Sequence, residues 1–401
     1  MTPRWPTASV ADCLERLSLG SRPKLQTRNY KPVGKYPIVD QGQTLIAGWT
    51  DDDQGLITSV LPVVIFGDHT RALKYVDFPF VRGADGTQVL KPKGDIHPRF
   101  FYYACKAIEL PSRGYNRHFK ALKEKEIPIP SFKEQTDIAD ILQRLEGAIT
   151  VQVSQNRVSK DLKRAAMRQL FTHGLRGEAQ KETEIGPMPA SWTIEPLGRH
   201  FSVVSGGTPS RKKSSFWSEG TVPWVKTTEV NYGVIRETEE QITQAGLEQS
   251  AAKLLPPGTL LLAMYGQGVT RGKVAILGIE AACNQACAAI NPVDDRADPK
   301  YLYHFLSFRY EEIRRLAHGG QQQNLNLEIV RSLPVAYTAG RGEQSRIVAI
   351  LDAIDRKIDL HRHKSDVLDD LFKALLHKLM TGEIRVTDFD LSPFATRSYG
   401  Q

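Results

Sequence analysis

Few side chains in this sequence stand in a pattern that could run a reaction. Gly268-Val-Thr-Arg-Gly272-Lys273-Val274 approaches a phosphate-cradling loop, in which backbone N–H groups hold phosphates and a lysine reaches the terminal one. That pattern needs glycine where Gln267 stands and Ser or Thr where Val274 stands. Asn291-Pro292-Val293-Asp294 shares two residues with the Asn-Pro-Pro-Tyr type of amino-methyltransferase motif and lacks the second proline and the aromatic. No glycine-rich loop follows a strand to hold S-adenosylmethionine. Cys283 and Cys287 have no further Cys or His pair to complete a zinc tetrahedron, so buried small residues are the simpler reading. No Gly-x-Ser-x-Gly elbow occurs and the histidines are scattered. A chain that binds rather than catalyses, with no metal of its own, is expected.

The elements that carry these residues are duplicated. Ile127-Pro128-Ile129-Pro130, leading through Glu134-Gln135 into a long helical pattern, returns as Leu333-Pro334-Val335 leading through Glu343-Gln344. The copies then stay in step over about 35 residues. Asp137, Ile138, Leu142, Leu145, Ile149, Leu162 and Leu170 answer to Arg346, Ile347, Leu351, Ile354, Ile358, Leu371 and Leu379. In the second copy Ile347, Leu351, Ile354, Ile358, His361, Ser365, Leu368, Phe372, Leu375 and Leu379 alternate in steps of four and three, a coiled-coil seam with two polar positions. Gln152 and Asn156 stand at the same two places in the first copy. Polar seam residues cost stability but fix register and partner. At about 1.5 Å per residue each helix would be roughly 50 Å long. Gly174 and Gly382 supply the stops. An antiparallel pairing would let the polar positions meet.

Each helix follows a globe of short strands and helices. Tyr36–Val39, Pro62–Phe66, Thr221–Val225 and Thr259–Ala263 read as buried strands. His97-Pro98 and Asp298-Pro299 each open a short helix, and Arg113–Arg117 echoes the loop Gly319–Asn324. The fold class expected is α+β: two pseudo-symmetric mixed α/β globes, 1–130 and 191–336, separated by long helices at 131–172 and 337–382 that pair as an antiparallel coiled coil. A linker, 173–190, and a tail, 383–401, complete the plan. Such symmetry suits duplex DNA or a pair of identical subunits.

Composition agrees with a globular binding protein. The 401 residues suffice for two or three domains, and the content is 41% hydrophobic and 24% charged. No apolar run approaches the roughly 20 residues that span a bilayer, and four cysteines are too few for a disulfide framework. The net charge of +8 is uneven, with +6 in residues 1–136 and near-balance in the helices. A basic excess of this kind fits nucleic-acid binding.

In order along the chain, several short segments resemble the specificity subunit of type I restriction–modification systems. They are Glu184-Ile-Gly-Pro-Met-Pro-Ala-Ser-Trp192, Gly206-Gly207-Thr208-Pro209-Ser210, Pro257-Gly258-Thr259, Gly272-Lys273 with Ala275-Ile276, and Asn284-Gln285-Ala286. Gly34-Lys35-Tyr36-Pro37-Ile38 leading to Gly48-Trp49 is similar to a common start of the first globe, and the repeated Pro…Glu-Gln…Ile-x-x-Ile-Leu pattern completes the set. The resemblance covers nearly the whole chain. It implies two target recognition domains, each reading half of a bipartite site in double-stranded DNA. It also implies helices that set the spacer and dock two methyltransferase subunits, joined by two ATP-driven restriction subunits. S-adenosylmethionine, ATP and Mg would belong to those partners, and this chain would be non-catalytic and hold no cofactor. A bacterial or archaeal cytoplasm, with no membrane contact, is implied.

Base readout uses Arg or Lys for guanine and Asn or Gln for adenine. The candidates are Gln41, Gln43, His69, Arg71, Lys74, Arg113, Asn116 and Arg117 in the first globe. In the second they are Arg211, Lys212, Lys213, Gln267, Arg271, Lys273, Gln321, Gln322, Gln323 and Asn324. Each is equally readable as a solvated residue or a phosphate contact that positions without specifying. Trp217 and Trp224 read as core, and Gly206-Gly207 as a turn. The alternative function is a coiled-coil scaffold that gathers other subunits without sequence-specific DNA binding; a stand-alone nuclease or methyltransferase lacks its motifs.

Overall fold

The computed structural model describes residues 5–17, 24–111, 117–266, 269–316 and 324–388. Two compact units emerge: residues 1–153 with 362–401, and residues 154–361. The division cuts both long helices, Phe132–His173 and Arg341–Thr381, within their polar runs. Each globe therefore forms one body with half of each helix.

In the first unit, one sheet has the order Gly48–Thr50, Tyr36–Val39, Phe80–Arg82, Leu56–Ile57. A second is Leu73–Val76, Val63–Gly67, Thr87–Leu90, and Thr7–Ser9 pairs with Glu126–Pro128 in a two-stranded sheet. Val63–Gly67 is buried at all five positions, which is why its sequence runs apolar without alternation. The helix Pro98–Lys106 carries proline in its first turn, where no N–H is missed, and His97 caps it by accepting the Phe100 N–H at 3.3 Å. Its Phe100, Phe101 and Tyr103 enter one core with Ile138 and Leu142 of the first long helix and Phe372, Leu376 and Leu379 of the second.

The second unit repeats this plan. Its two larger sheets are Phe201–Ser205, Cys287–Pro292, Leu260–Ala263, Val274–Leu277, Val234–Ile235, and Glu240–Ile242, Val222–Val225, Ala282–Cys283. Asp298 caps Pro299–Phe308 by accepting the Lys300 N–H at 2.7 Å. Trp192, Tyr301 and Phe305 share a core with Leu170, Phe171, Ile347 and Leu351.

The repeated Glu-Gln pair has a physical cause. Gln135 is buried; its Oε1 accepts the His97 N–H at 2.8 Å and its Nε2 donates to the Pro130 carbonyl at 3.0 Å. Gln344, also buried, accepts the Asp298 N–H at 3.0 Å and donates to the Arg296 carbonyl at 3.2 Å. Each glutamine thus ties the start of a long helix to the cap of its globe's short helix, satisfying groups that burial would otherwise leave unpaired. Both helices stop at a left-handed glycine, Gly174 at φ +65° and Gly382 at φ +70°.

The long helices pair antiparallel. In the second unit Asn156 Nδ2 donates to the Ile358 carbonyl at 2.9 Å, and Lys163 meets Asp355 at 2.7 Å, so the partner number falls as the first rises. Leu142 and Leu351 are buried, and Leu145, Ile149, Ile354 and Ile358 half-buried. The polar positions Gln152, Asn156, His361 and Ser365 are half-buried too. Leu162 and Leu371, matched by the repeat, fall outside this seam and are 50% and 43% exposed.

A polar network ties the second globe to its helices. Fully buried His304 directs Nε2 at Asp352 at 2.9 Å, while its Nδ1 meets no partner among the described residues. The carboxylates of Asp352 and Asp355 are engaged by Lys300 and Lys163 at 2.8 and 2.7 Å, so a metal ion here would face two ammonium groups. Burial lowers the His304 pKa although Asp352 pulls the other way; a proton on the orphaned Nδ1 would be a buried donor without an acceptor. The His304 hydrogen bond, with help from Lys300, holds Asp352 down to about 2. As pH falls below about 6.5, the unfolded chain takes up a proton that folded His304 refuses, and stability is lost. The Asp352 contribution persists above about 4 and fades only as pH approaches 2. His304→Gln should therefore flatten the decline in stability that sets in as pH falls below about 6.5. Thermal melting across a pH series reads it directly.

Candidate nucleic-acid interface

At one end of the sheets in the first unit, four chain segments converge on a tip. The Gly83 N–H donates to the Val39 carbonyl at 2.9 Å, Asp68 N–H to Gly86 at 2.8 Å, His118 N–H to Asp68 at 2.9 Å, and Arg71 N–H to Gly67 at 2.7 Å. Asp68 itself is buried, and its Oδ1 accepts the N–H groups of His118 and Phe119 at 2.8 and 2.7 Å. Gln41 Oε1 accepts the His69 N–H at 3.3 Å, and the Thr70 hydroxyl donates to the Gln41 carbonyl. At Gly86, φ +86°, a Cβ would press within 2.6 Å of Gln41 Oε1, so glycine is required.

The second unit builds its tip on the same backbone bonds. Asn284 N–H donates to Val225 at 3.0 Å, Met264 to Ala286 at 2.8 Å, Leu325 to Met264 at 3.1 Å, and Gly272 to Ala263 at 2.8 Å. The scaffold is conserved between the two tips and the side chains are not. Asp68, His69 and His118 of one stand where Met264, Tyr265 and Leu325 stand in the other.

The structure gathers Gln41, Gln43, His69, Arg71 and Arg117 at the first tip. Gln43, Arg71 and Arg117 are exposed; Arg71 donates to the Leu110 carbonyl at 2.7 Å, and Arg117 lies 4.0 Å from Asp68. Lys74 is a correction. Its side chain is buried, 3.7 Å from the Asp40 carboxylate and donating to the Asp40 carbonyl at 2.7 Å, so it struts the core. Burial lowers its pKa although Asp40 opposes the shift.

In the second unit Asn324 is exposed next to the tip residue Leu325. Arg271 is a second correction, since it is buried rather than presented to a groove. Lys273 is half-buried and donates to Asn231 Oδ1 at 2.7 Å. Arg211, Lys212 and Lys213 stand on a segment that begins beside the tip, where Thr208 Oγ1 meets Gln285 Oε1. Arg211 pairs with Glu240 and lies 3.6 Å over the Trp217 ring, which meets buried Trp224 edge-on at 5.0 Å. Lys212 is exposed, and Lys213 sits 4.7 Å over Phe216. Gly206 and Gly207 are explained by packing rather than by a turn alone. A Cβ there would collide with the backbones of Cys283 and Ala251. Arg113, Asn116, Gln267, Gln321, Gln322 and Gln323 lie outside the described residues.

Sequence reasoning passed over Asp68, Tyr265, Val269 and Gln285. Setting Gly67-Asp68-His69 against Ala263-Met264-Tyr265, at the ends of equivalent buried strands, would have found Asp68 and Tyr265. It also passed over a second apolar stripe on the helices. Val151, Val158 and Leu162 are exposed on the first helix, and Ile350, Leu360, Val367 and Leu371 on the second. In the repeat, Val151 answers to Leu360, Val158 to Val367 and Leu162 to Leu371. Val151 and Val367 precede the seam residues Gln152 and Leu368, whereas Glu146 and Asp355, facing their globes, follow Leu145 and Ile354. At 100° per residue the stripe and the globe therefore occupy opposite flanks of the helix pair in each unit. No helix among the described residues is long and apolar enough to cross a membrane.

Comparison with known proteins places this architecture. The type I restriction modification DNA specificity domain matches residues 8–157 and 189–369, so the chain belongs to that family of specificity subunits. Among curated relatives, the EcoR124I/EcoR124II type I restriction enzyme specificity subunit of Escherichia coli is 26% identical over 348 residues, covering 82% of each chain. The putative MjaX specificity subunit of Methanocaldococcus jannaschii is 26% identical over 291 residues, 72% of this chain and 65% of that one. The crystal structure of the type I S subunit from M. genitalium has the same fold, with TM-score 0.65 at 17% identity, covering 94% and 96% of the two chains.

Proposed function

We propose that this chain is the non-catalytic reader of a type I restriction–modification complex, each tip recognising one half of a bipartite site in double-stranded DNA. The observation that carries the reading is the pair of tips with matched backbone hydrogen bonds and unmatched side chains. Exposed Gln43, Arg71, Arg117 and Asn324 supply the donors that base edges and phosphates accept. The long helices set the gap between half-sites. Their duplicated exposed stripe seats two methyltransferase subunits, one on each copy, because apolar rows at equal register on flanks free of the globes form two like docking surfaces. Restriction subunits join through that assembly. S-adenosylmethionine, ATP and Mg are used by those partners.

Binding tests this reading. With its modification subunit, the chain should bind one bipartite duplex about a thousandfold more tightly than a scrambled duplex, with affinity falling linearly in log–log against salt. Equal binding to both duplexes would leave only a scaffold.

A further inference from the structure

The second tip exposes two apolar side chains, whereas His69, which stands in the first tip where Tyr265 stands in the second, is half-buried. Tyr265 is 41% exposed and Val269 59%. Neither is on a loose backbone. Met264, just before Tyr265, has both its N–H and its carbonyl taken, by Ala286 and Leu325. Gly266, at φ +135°, packs so closely on Thr270 that a Cβ would lie 2.9 Å from the Thr270 Cβ. The Tyr310 hydroxyl donates to the Val269 carbonyl at 2.6 Å, and the Gly272 N–H closes the turn on Ala263 at 2.8 Å. Tyr265 and Val269 thus present an aromatic ring and an isopropyl group to solvent beside anchored backbone groups. That arrangement suits a surface that is apolar at one point.

On the major-groove floor the apolar group is the C5 methyl of thymine; the other features of the base edges are hydrogen-bond donors and acceptors. Resting on the half-site reading above, we propose that Tyr265 and Val269 supply apolar contacts to a thymine methyl group in the half-site read by the second unit. The chain neighbouring Tyr265 supports this. The exposed amides Asn324 and Gln285 lie one residue from Leu325 and Ala286, which hold Met264, and an amide is the side chain suited to adenine, the partner of thymine.

The experiment uses the full chain with its modification subunit and a duplex carrying its methylation site. Each thymine is replaced in turn by deoxyuridine, which removes only the methyl group. One replacement, confined to one half of the site, should weaken binding about tenfold. Tyr265→Ala with Val269→Ala should make the complex indifferent to that replacement, while the other half is read as before; Tyr265→Phe should keep the sensitivity. Because the wild-type measurement stands alone, a misfolded variant does not rescue the idea. A complex that methylates a bipartite site yet is blind to every replacement overturns the thymine contact and leaves the half-site reading intact. A complex with no bipartite site overturns both. Variants that lose subunit assembly but recognise an unchanged site would place the patch at a protein interface, again overturning the proposal.

Discussion

A chain carrying Leu162→Glu together with Leu371→Glu is expected to fold normally and to lose both methyltransferase subunits. The two leucines are half-exposed and outside the helix seam, so glutamate there should change stability by no more than about 0.5 kcal/mol. In an apolar docking surface the same carboxylate must be desolvated without a partner, at a cost of about 2 kcal/mol or more per site. That weakens each contact at least about thirtyfold. The repeat makes the singles informative. Leu162 lies with Val158, Ile350 and Leu360 in the second unit, and Leu371 with Val151 and Val367 in the first. Each single substitution should leave a complex with one subunit. Mass measurement by light scattering distinguishes two, one and none; retention of both subunits by the double variant would show that the stripe is not the dock.

Trp192→Ala is expected to have the largest effect on stability. Trp192 is fully buried, 6.4 Å from the Tyr301 ring in the core that joins the second globe to its helix halves. Truncating an aromatic side chain of this size removes its transfer energy and leaves a cavity, together about 3–5 kcal/mol. That is a large share of the roughly 5–15 kcal/mol that holds a typical protein folded. The first unit has its own core, built on Phe100, Phe101 and Phe372, and does not depend on Trp192. Urea unfolding should therefore split into two steps, with the second unit melting at the lower concentration. A single transition at the wild-type midpoint would mean that Trp192 does not anchor that core.

The architecture was legible where physics repeats in the sequence. The four-and-three spacing from Ile347 to Leu379 fixed a seam because only that period keeps one face inward, and the polar interruptions appeared at matching places in both helices. Val63–Gly67 and Leu260–Ala263 were visible as strands because a strand buried on both faces has no polar residues to alternate. Side-chain roles at the tips were harder to read. Lys74 and Arg271 have the right chemistry for a groove, yet long-range neighbours such as Asp40 decide whether a cation is buried, and no local pattern records them. Tyr265 was missed for the opposite reason: as an aromatic residue after an apolar strand it reads as core, and only the backbone bonds of Met264 show that the chain has turned outward. The exposed stripe was hidden inside the repeat, where Leu162 and Leu371 were visible as matches but not as surface.

Mapping methylated adenines in cells that express this chain with its modification subunit tests the two-reader account most directly. A second strain would carry Gln43→Ala, His69→Ala and Arg117→Ala at the first tip. The wild type should write one bipartite motif with a fixed gap. The variant should relax or change one half, leaving the other half and the gap as they were. A single uninterrupted motif, or a variant that alters both halves together, would contradict the account.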